Sequence, residues 1–199
     1  MLFRSQFVEP GKSVDNLYAM YTLGWFYEDQ KYKTTHHPQE FKTLPLQQTA
    51  TDILGLDYYE VKPKIYFEDK GKQIEDKYVI IAPHASAHAK YWMYPKGWQT
   101  IIDYLNEKGY KVVMITQEPL GDEWHDSKLG GTLTGVIDKT GNLPLQDRMV
   151  DIKHAEAFIG VGSGMSWVSW ALNTPTILIS GFSYPYTEFQ DCERIFNDD

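Results

Sequence analysis

From Lys77 onward the chain alternates short apolar runs with segments whose apolar residues recur every three or four positions. That alternation is the signature of a parallel sheet covered by helices. The spacing predicts strands over residues 78–82, 111–115, 135–137, 157–160 and 176–179. It predicts a helix over 98–108, with Trp98, Ile101, Ile102 and Leu105 on one face and Gly109 as its C-cap, and further helices over 145–154 and 166–172. The expected class is α/β, a Rossmann-like, doubly wound parallel sheet. Ligands of such sheets bind at the carboxyl ends of the strands. Four loops fall there, 84–90, 116–121, 162–166 and 181–186, and are expected to converge on one cleft.

One of these loops has the composition of an anion cradle. Phe158 to Trp167 is an apolar run that ends in Gly162-Ser163-Gly164-Met165-Ser166 and opens a helical pattern. Glycines let backbone N–H groups approach an anion closely, and the first amides of the next helix point at it with the helix dipole behind them. The spacing is not the Walker pattern, which needs a Lys after the last Gly, nor the full dinucleotide fingerprint. It is not the Gly-x-Ser-x-Gly elbow of serine hydrolases either, because the glycines are the immediate neighbours of Ser163. The alternative for such a turn is simple packing of a strand against a helix.

The loop after the first strand, Pro83-His84-Ala85-Ser86-Ala87-His88-Ala89-Lys90, carries small residues that admit a ligand to the backbone. Lys90 can reach a diphosphate as a mobile point charge, the alternative being a solvated surface lysine, as for Lys96. His84 and His88 lie four apart, but no third ligand has suitable spacing and Pro83 argues for a loop, so hydrogen bonding to substrate or backbone is expected rather than a metal. His36-His37 also lacks ligand spacing. Glu118 and Asp122, after the second strand, could accept hydrogen bonds from a ribose or a base, or be ordinary exposed loop acids.

Composition narrows the partners. A net charge of −8 and a pI near 5.2 argue against general nucleic-acid binding, since phosphate neutralisation requires a basic surface. No apolar run approaches the ~20 residues of a bilayer helix and no signal segment opens the sequence, so no membrane span is expected and a cytoplasmic location is the default. Cys192 is the one cysteine, which excludes an internal disulfide or a cysteine-built metal site within this chain. The first 76 residues do not read as a whole domain: a helix-like stretch over 14–27, a polar loop over 28–40, a second helical piece over 44–56, and a charged connector over 60–76.

Assembled, these residues resemble the carboxyl-terminal half of GT-B heptosyltransferases, most closely the autotransporter strand-loop-strand O-heptosyltransferases, from about Leu44 to the end. The resemblance rests on Leu46-Gln47-Gln48-Thr49-Ala50 with Ile53-Leu54-Gly55-Leu56, on His84-Ala85-Ser86 with Lys90-Tyr91-Trp92, and on Asp138-Lys139-Thr140-Gly141 with Leu145. It continues through Gly162 to Trp167, Trp170-Ala171-Leu172-Asn173-Thr174-Pro175, and Ile179-Ser180-Gly181-Phe182-Ser183 with Pro185, Glu188 and Phe189. Lipopolysaccharide heptosyltransferases look similar but differ at Ser163-Gly164 and Trp167, which favours the protein-modifying branch.

The resemblance implies an ADP-heptose donor, a serine acceptor on an autotransporter protein, and a donor site made of His84, Ser86, Lys90, Gln117, Glu118, Gly162, Ser163, Gly164, Met165 and Ser166. Lys90 would contact the diphosphate, Ser163 to Ser166 would bind phosphate through amides and hydroxyls, and Gln117 or Glu118 would sit near the nucleoside. It implies residues 1–76 as a remnant of the acceptor-side domain with its connector, residues 77–199 as the nucleotide-sugar domain, and a chain truncated at both ends. The catalytic base is then expected in the amino-terminal domain, so Asp15 and Asp29 are not assigned to it. The family's iron site is expected beyond Asp199, leaving no cofactor or metal in this chain. A homo-oligomer is left open. The alternatives are a glycosyltransferase with another nucleotide sugar and a non-catalytic nucleotide-sugar-binding module.

Overall fold

The computed structural model describes residues 45–180 and 185–196 of the 199-residue chain. The helical stretch and polar loop expected over 14–40, and most of the loop expected over 181–186, lie outside the described residues.

Six parallel strands form one sheet: β1 (Tyr78–Ala82), β2 (Lys111–Met114), β3 (Ile137–Asp138), β4 (Ala157–Val161), β5 (Thr176–Ser180) and β6 (Glu193–Phe196). Their spatial order is β3-β2-β1-β4-β5-β6, with every neighbouring pair parallel. From β1 the chain winds outward through β2 to β3, then returns to the other side of β1 for β4, β5 and β6. This is the doubly wound order of Rossmann folds, and its reversal between β1 and β4 opens a crevice.

The helices are α1 (Leu46–Leu54), α2 (Gly97–Glu107), α3 (Glu123–Leu129), α4 (Leu145–Lys153) and α5 (Gly164–Ala171). Side chains alternate across the strands, so each face has its own core. Val79, Ile81, Val112, Met114, Ile159 and Val161 pack under Trp98 and Ile102 of α2 and Leu129 of α3. Tyr78, Ile80, Ala82, Val113, Ile115 and Phe158 pack under Met149 and Ile152 of α4, with Met165 and Val168 of α5 against them. All five residues of β1 are buried. No helix among the described residues is long and apolar enough to cross a membrane.

The elements depart from the periodicity where local geometry intervenes. Gly135 has φ +76, a left-handed turn, so the third strand begins at Ile137 instead. The helix expected to begin at Ser166 begins at Gly164, because Ser163 is already its N-cap. Two elements were not expected at all. In α3, the Asp122 carboxylate caps the helix by accepting the His125 N–H, and Gly130 ends it at φ 84. The sheet edge β6 carries the charged sequence Glu-Arg-Ile-Phe and is largely exposed, so it lacks the apolar signal of the inner strands.

Residues 60–76 form no helix or strand, yet they are strapped across the α4 and α5 face. Ile65, Phe67 and Ile74 join the second core. Gln146 Nε2 donates to Glu68 O at 2.7 Å, His154 Nε2 lies 2.7 Å from Asp69 Oδ1, and Lys62 Nζ lies 2.8 Å from Asp191. Two of the charges that marked this segment as a connector, Lys62 and Asp69, thus find partners on the body of the fold. Each exposed pair contributes little alone, and the half-buried apolar residues anchor the strap.

Gly160, the fourth residue of β4, has no room for a side chain. A Cβ there would lie 2.7 Å from the buried Phe158 ring and 3.2 Å from Ala82 O. Gly160→Ala is expected to cost about 1–3 kcal/mol by overpacking. Gly164→Ala, where a Cβ meets nothing within 4 Å, is expected to leave stability unchanged or slightly raised. Urea midpoints for the two variants check the contrast, and equal midpoints would refute it.

Candidate functional site

Strand register places the site. Ala82 pairs with Gly160 and Ile81 with Met114. Two or three residues further on, the loops carrying His84, Gln117 and Gly162 therefore leave the sheet side by side at its carboxyl edge. They border a cleft of about 580 Å³, within the size range of small-ligand sites.

Nine of the ten expected residues line this cleft: His84, Ser86, Lys90, Gln117, Glu118, Gly162, Ser163, Gly164 and Met165. Ser166 does not. It is fully buried; its Oγ donates to Ser163 O at 2.6 Å and accepts the Ser163 N–H at 3.2 Å. Its hydroxyl is thus committed to shaping the turn, where the expectation had placed it on the ligand. What the turn presents is backbone: the first amides of α5, which have no carbonyl partner within the helix, at the positive end of its dipole. Lys90 ends a short 3₁₀ turn, His88–Lys90, that brings its half-buried side chain to the same cleft.

His84 has an unusual environment. Its side chain is 3% exposed, neither ring nitrogen has a hydrogen-bond partner among the described residues, and the ring stacks on His125 at 4.9 Å. Burial lowers its pKa from the ordinary 6.5, and neighbouring His125 lowers it further, against opposing pulls from Glu118, Asp126 and Asp122. The 3.8 Å approach of Nδ1 to Glu118 Oε2 is therefore between a neutral imidazole and a carboxylate. Neutral His84 keeps one donor and one acceptor. Asp122, weighed above as a ribose ligand, instead caps α3 and lies 2.7 Å from His125 Nδ1. Hydrogen bonds from the His125 backbone and ring lower its pKa.

The cleft also contains residues outside the expected donor-site set: Thr116, Gly141, Asn142, Leu143, Leu145, Arg148 and Trp167. Arg148 had a legible signal. Leu145, Arg148, Met149 and Ile152 follow the i, i+3, i+4, i+7 rule of a buried stripe, so the arginine falls where an apolar residue belongs. Leu143 and Leu145 are 43% and 51% exposed, which leaves an apolar wall beside the polar groups.

No three His, Cys, Asp or Glu residues converge as metal ligands among the described residues. Cys192 packs against the Trp170, Leu178 and Phe189 cluster, and its thiol is pushed up chiefly by burial. This donor set does not fit an iron site. The arrangement is suited to binding an anionic, partly apolar ligand between amides and cations.

Residues 22–187 match the family model of glycosyltransferase family 9 (heptosyltransferase). The chain is 37% identical over 183 residues to the autotransporter heptosyltransferase Aah of Escherichia coli, covering 90% of this chain and 44% of that protein. The structure of the dodecameric, iron-containing heptosyltransferase TibC with ADP-D-β-D-heptose superposes with a TM-score of 0.75 and 34% identity, over 91% of this chain and 46% of that one. TibC comes from Escherichia coli O78:H11. An inactive autotransporter heptosyltransferase, BimC of Burkholderia thailandensis, is 29% identical over 180 residues, 90% of this chain and 41% of that protein. The chain spans less than half the length of these curated relatives.

His84 should couple acidity to stability. A depressed folded pKa means that the unfolded chain takes up this proton first, so the contribution is complete above pH 6.5 and lost as pH falls from there through the folded value. The urea midpoint is expected to fall on acidification below about pH 6.5, and His84→Gln to flatten that part of the profile. A titration of the His84 ring signal with its midpoint at or above 6.5 would refute it.

Proposed function

Because the chain belongs to glycosyltransferase family 9, the heptosyltransferases, we propose that it is the donor-binding half of an autotransporter-type protein O-heptosyltransferase. In this reading it holds ADP-heptose, and the heptose passes to a serine hydroxyl of an autotransporter protein. The observation that carries the reading is the cleft at the topological switch, lined both by the N-terminus of α5 at Ser163 to Met165 and by Lys90. A departing diphosphate gains negative charge as the bond to the anomeric carbon breaks. Fixed amides and a lysine at that position stabilise the charge as it develops.

The other bond-making half-step needs a base for the serine proton. Glu118 is the one carboxylate lining the cleft among the described residues, and its place after β2 suits the nucleoside end. The base is therefore assigned outside the described residues. Adenine as the nucleobase is supported by the ADP-D-β-D-heptose in the TibC complex.

A second reading, a donor-binding module without turnover, is favoured by the likeness to BimC, which is described as inactive. Both readings require the same cleft. They part on whether ADP is released from ADP-heptose in the presence of an acceptor autotransporter fragment.

Calorimetric titration of the chain with ADP, UDP and GDP tests the shared premise. ADP is expected to bind best. Lys90→Ala is expected to weaken it roughly ten- to a hundredfold, the scale of a charge-assisted hydrogen bond of about 1.5–3 kcal/mol. Preference for UDP or GDP would move the chain to another donor, and no binding by the folded chain would remove the donor site.

A further inference from the structure

Arg148 stands at the fourth position of α4 and is 7% exposed. Its Nη2 donates to Thr116 O at 2.6 Å, just beyond β2, and also to Gly141 O in the turn after β3. Its Nη1 is buried and has no hydrogen-bond partner among the described residues. A guanidinium is planar, so two carbonyls on one nitrogen fix the direction of the other. Arg148 lines the cleft together with the α5 turn.

An open nitrogen on a buried cation is costly unless a ligand completes it. The nearby acids do not. Asp151 lies 2.7 Å from Lys139 Nζ, and neither it nor Glu118 bonds Nη1. Helices α4 and α5 lie against the same face of the sheet, and both begin at the edge where the cleft opens. A phosphate lying over the α5 turn can therefore also face α4. Arg148 clasps the loops after β2 and β3, which carry Gln117, Glu118 and Asn142. Lys90 comes from the loop after β1.

Resting on the donor reading above, we propose that Arg148 is a second cationic ligand of the donor, gripping the phosphate next to the nucleoside while Lys90 and the α5 amides hold the terminal one. The two cations then divide the diphosphate between them. Arg148 also sets nucleotide position by carrying that phosphate on the same guanidinium that ties the two nucleoside-side loops.

The test is calorimetric titration of ADP, AMP and adenosine into the chain, into Arg148→Met and Arg148→Lys, and into Lys90→Ala. Arg148→Met is expected to weaken ADP and AMP alike, roughly tenfold or more, while adenosine changes less than about twofold. Lys90→Ala is expected to weaken ADP more than AMP. Unchanged AMP affinity in Arg148→Met, or an equal loss for adenosine, overturns the proposal and leaves Arg148 a tie between loops.

If the Arg148 variants do not fold, the wild-type chain decides. It has three arginines, Arg4, Arg148 and Arg194, so ¹⁵N-arginine spectra assigned with Arg4→Lys and Arg194→Lys isolate the Arg148 signals. AMP is expected to shift its Nη resonances and adenosine to leave them in place; no shift with AMP overturns the proposal. ADP binding that depends on Lys90 but not on Arg148 removes this assignment alone. No binding of any nucleotide by the wild-type chain removes the donor reading and this proposal with it.

Discussion

The parallel pairing of β1 with β2 on one side and β4 on the other is the constraint on which the rest of the structure depends. A strand hydrogen-bonded on both edges and covered on both faces must be apolar throughout, and Tyr78 to Ala82 is. Because every partner runs parallel, all loops that follow the strands emerge at one edge. The winding reverses on either side of β1, so two of those loops diverge and leave a crevice. The cleft is a consequence of strand order and direction, and α2, α4 and α5 hold its walls by packing Trp98, Met149, Ile152 and Met165 against the sheet.

Charge is concentrated against the trend of the whole chain. The net charge is −8, yet the cleft collects Lys90, Arg148 and the positive end of α5, with Glu118 as its one lining carboxylate among the described residues. Some of the remaining acids are committed elsewhere: Asp122 caps α3, Asp69 of the strap meets His154, Asp147 of α4 meets Lys70 of the strap, and Glu188 accepts from Ser180 and Arg194. A local positive field within an acidic surface suits a small anionic ligand and disfavours a polyanion. His84 fits this division because burial keeps it neutral, so it can hydrogen-bond without adding charge.

Much of the fold was legible because buried strands and amphipathic helices carry their signals locally. The strands near 78–82, 111–115, 157–160 and 176–179 and the three main helices follow from apolar spacing, and the glycine turn at 162–166 marks its own strand-to-helix junction. The misses have physical causes. Gly135 needed a left-handed conformation that ends extended pairing before it starts. Helix α3 is a single short segment with polar residues, visible through its Asp122 cap and Gly130 stop rather than through periodicity. Strand β6 lies at an exposed edge, where apolar alternation is not required.

The sequence by itself determined which segments could be buried, where the glycine turn opening α5 lies, and that Lys90 and Glu118 follow strands rather than precede them. Those are properties of neighbours in the chain. Only the tertiary structure decided that these loops meet, since strand order is not written in any one segment. It alone assigned the Ser166 hydroxyl to the turn and strapped residues 60–76 over α4 and α5. It also turned Arg148 from an arginine on an apolar stripe into a fixed cation, because its carbonyl partners at Thr116 and Gly141 are 32 and 7 residues away. A buried charge acquires meaning only from what surrounds it in space, and that environment is assembled by strand pairing.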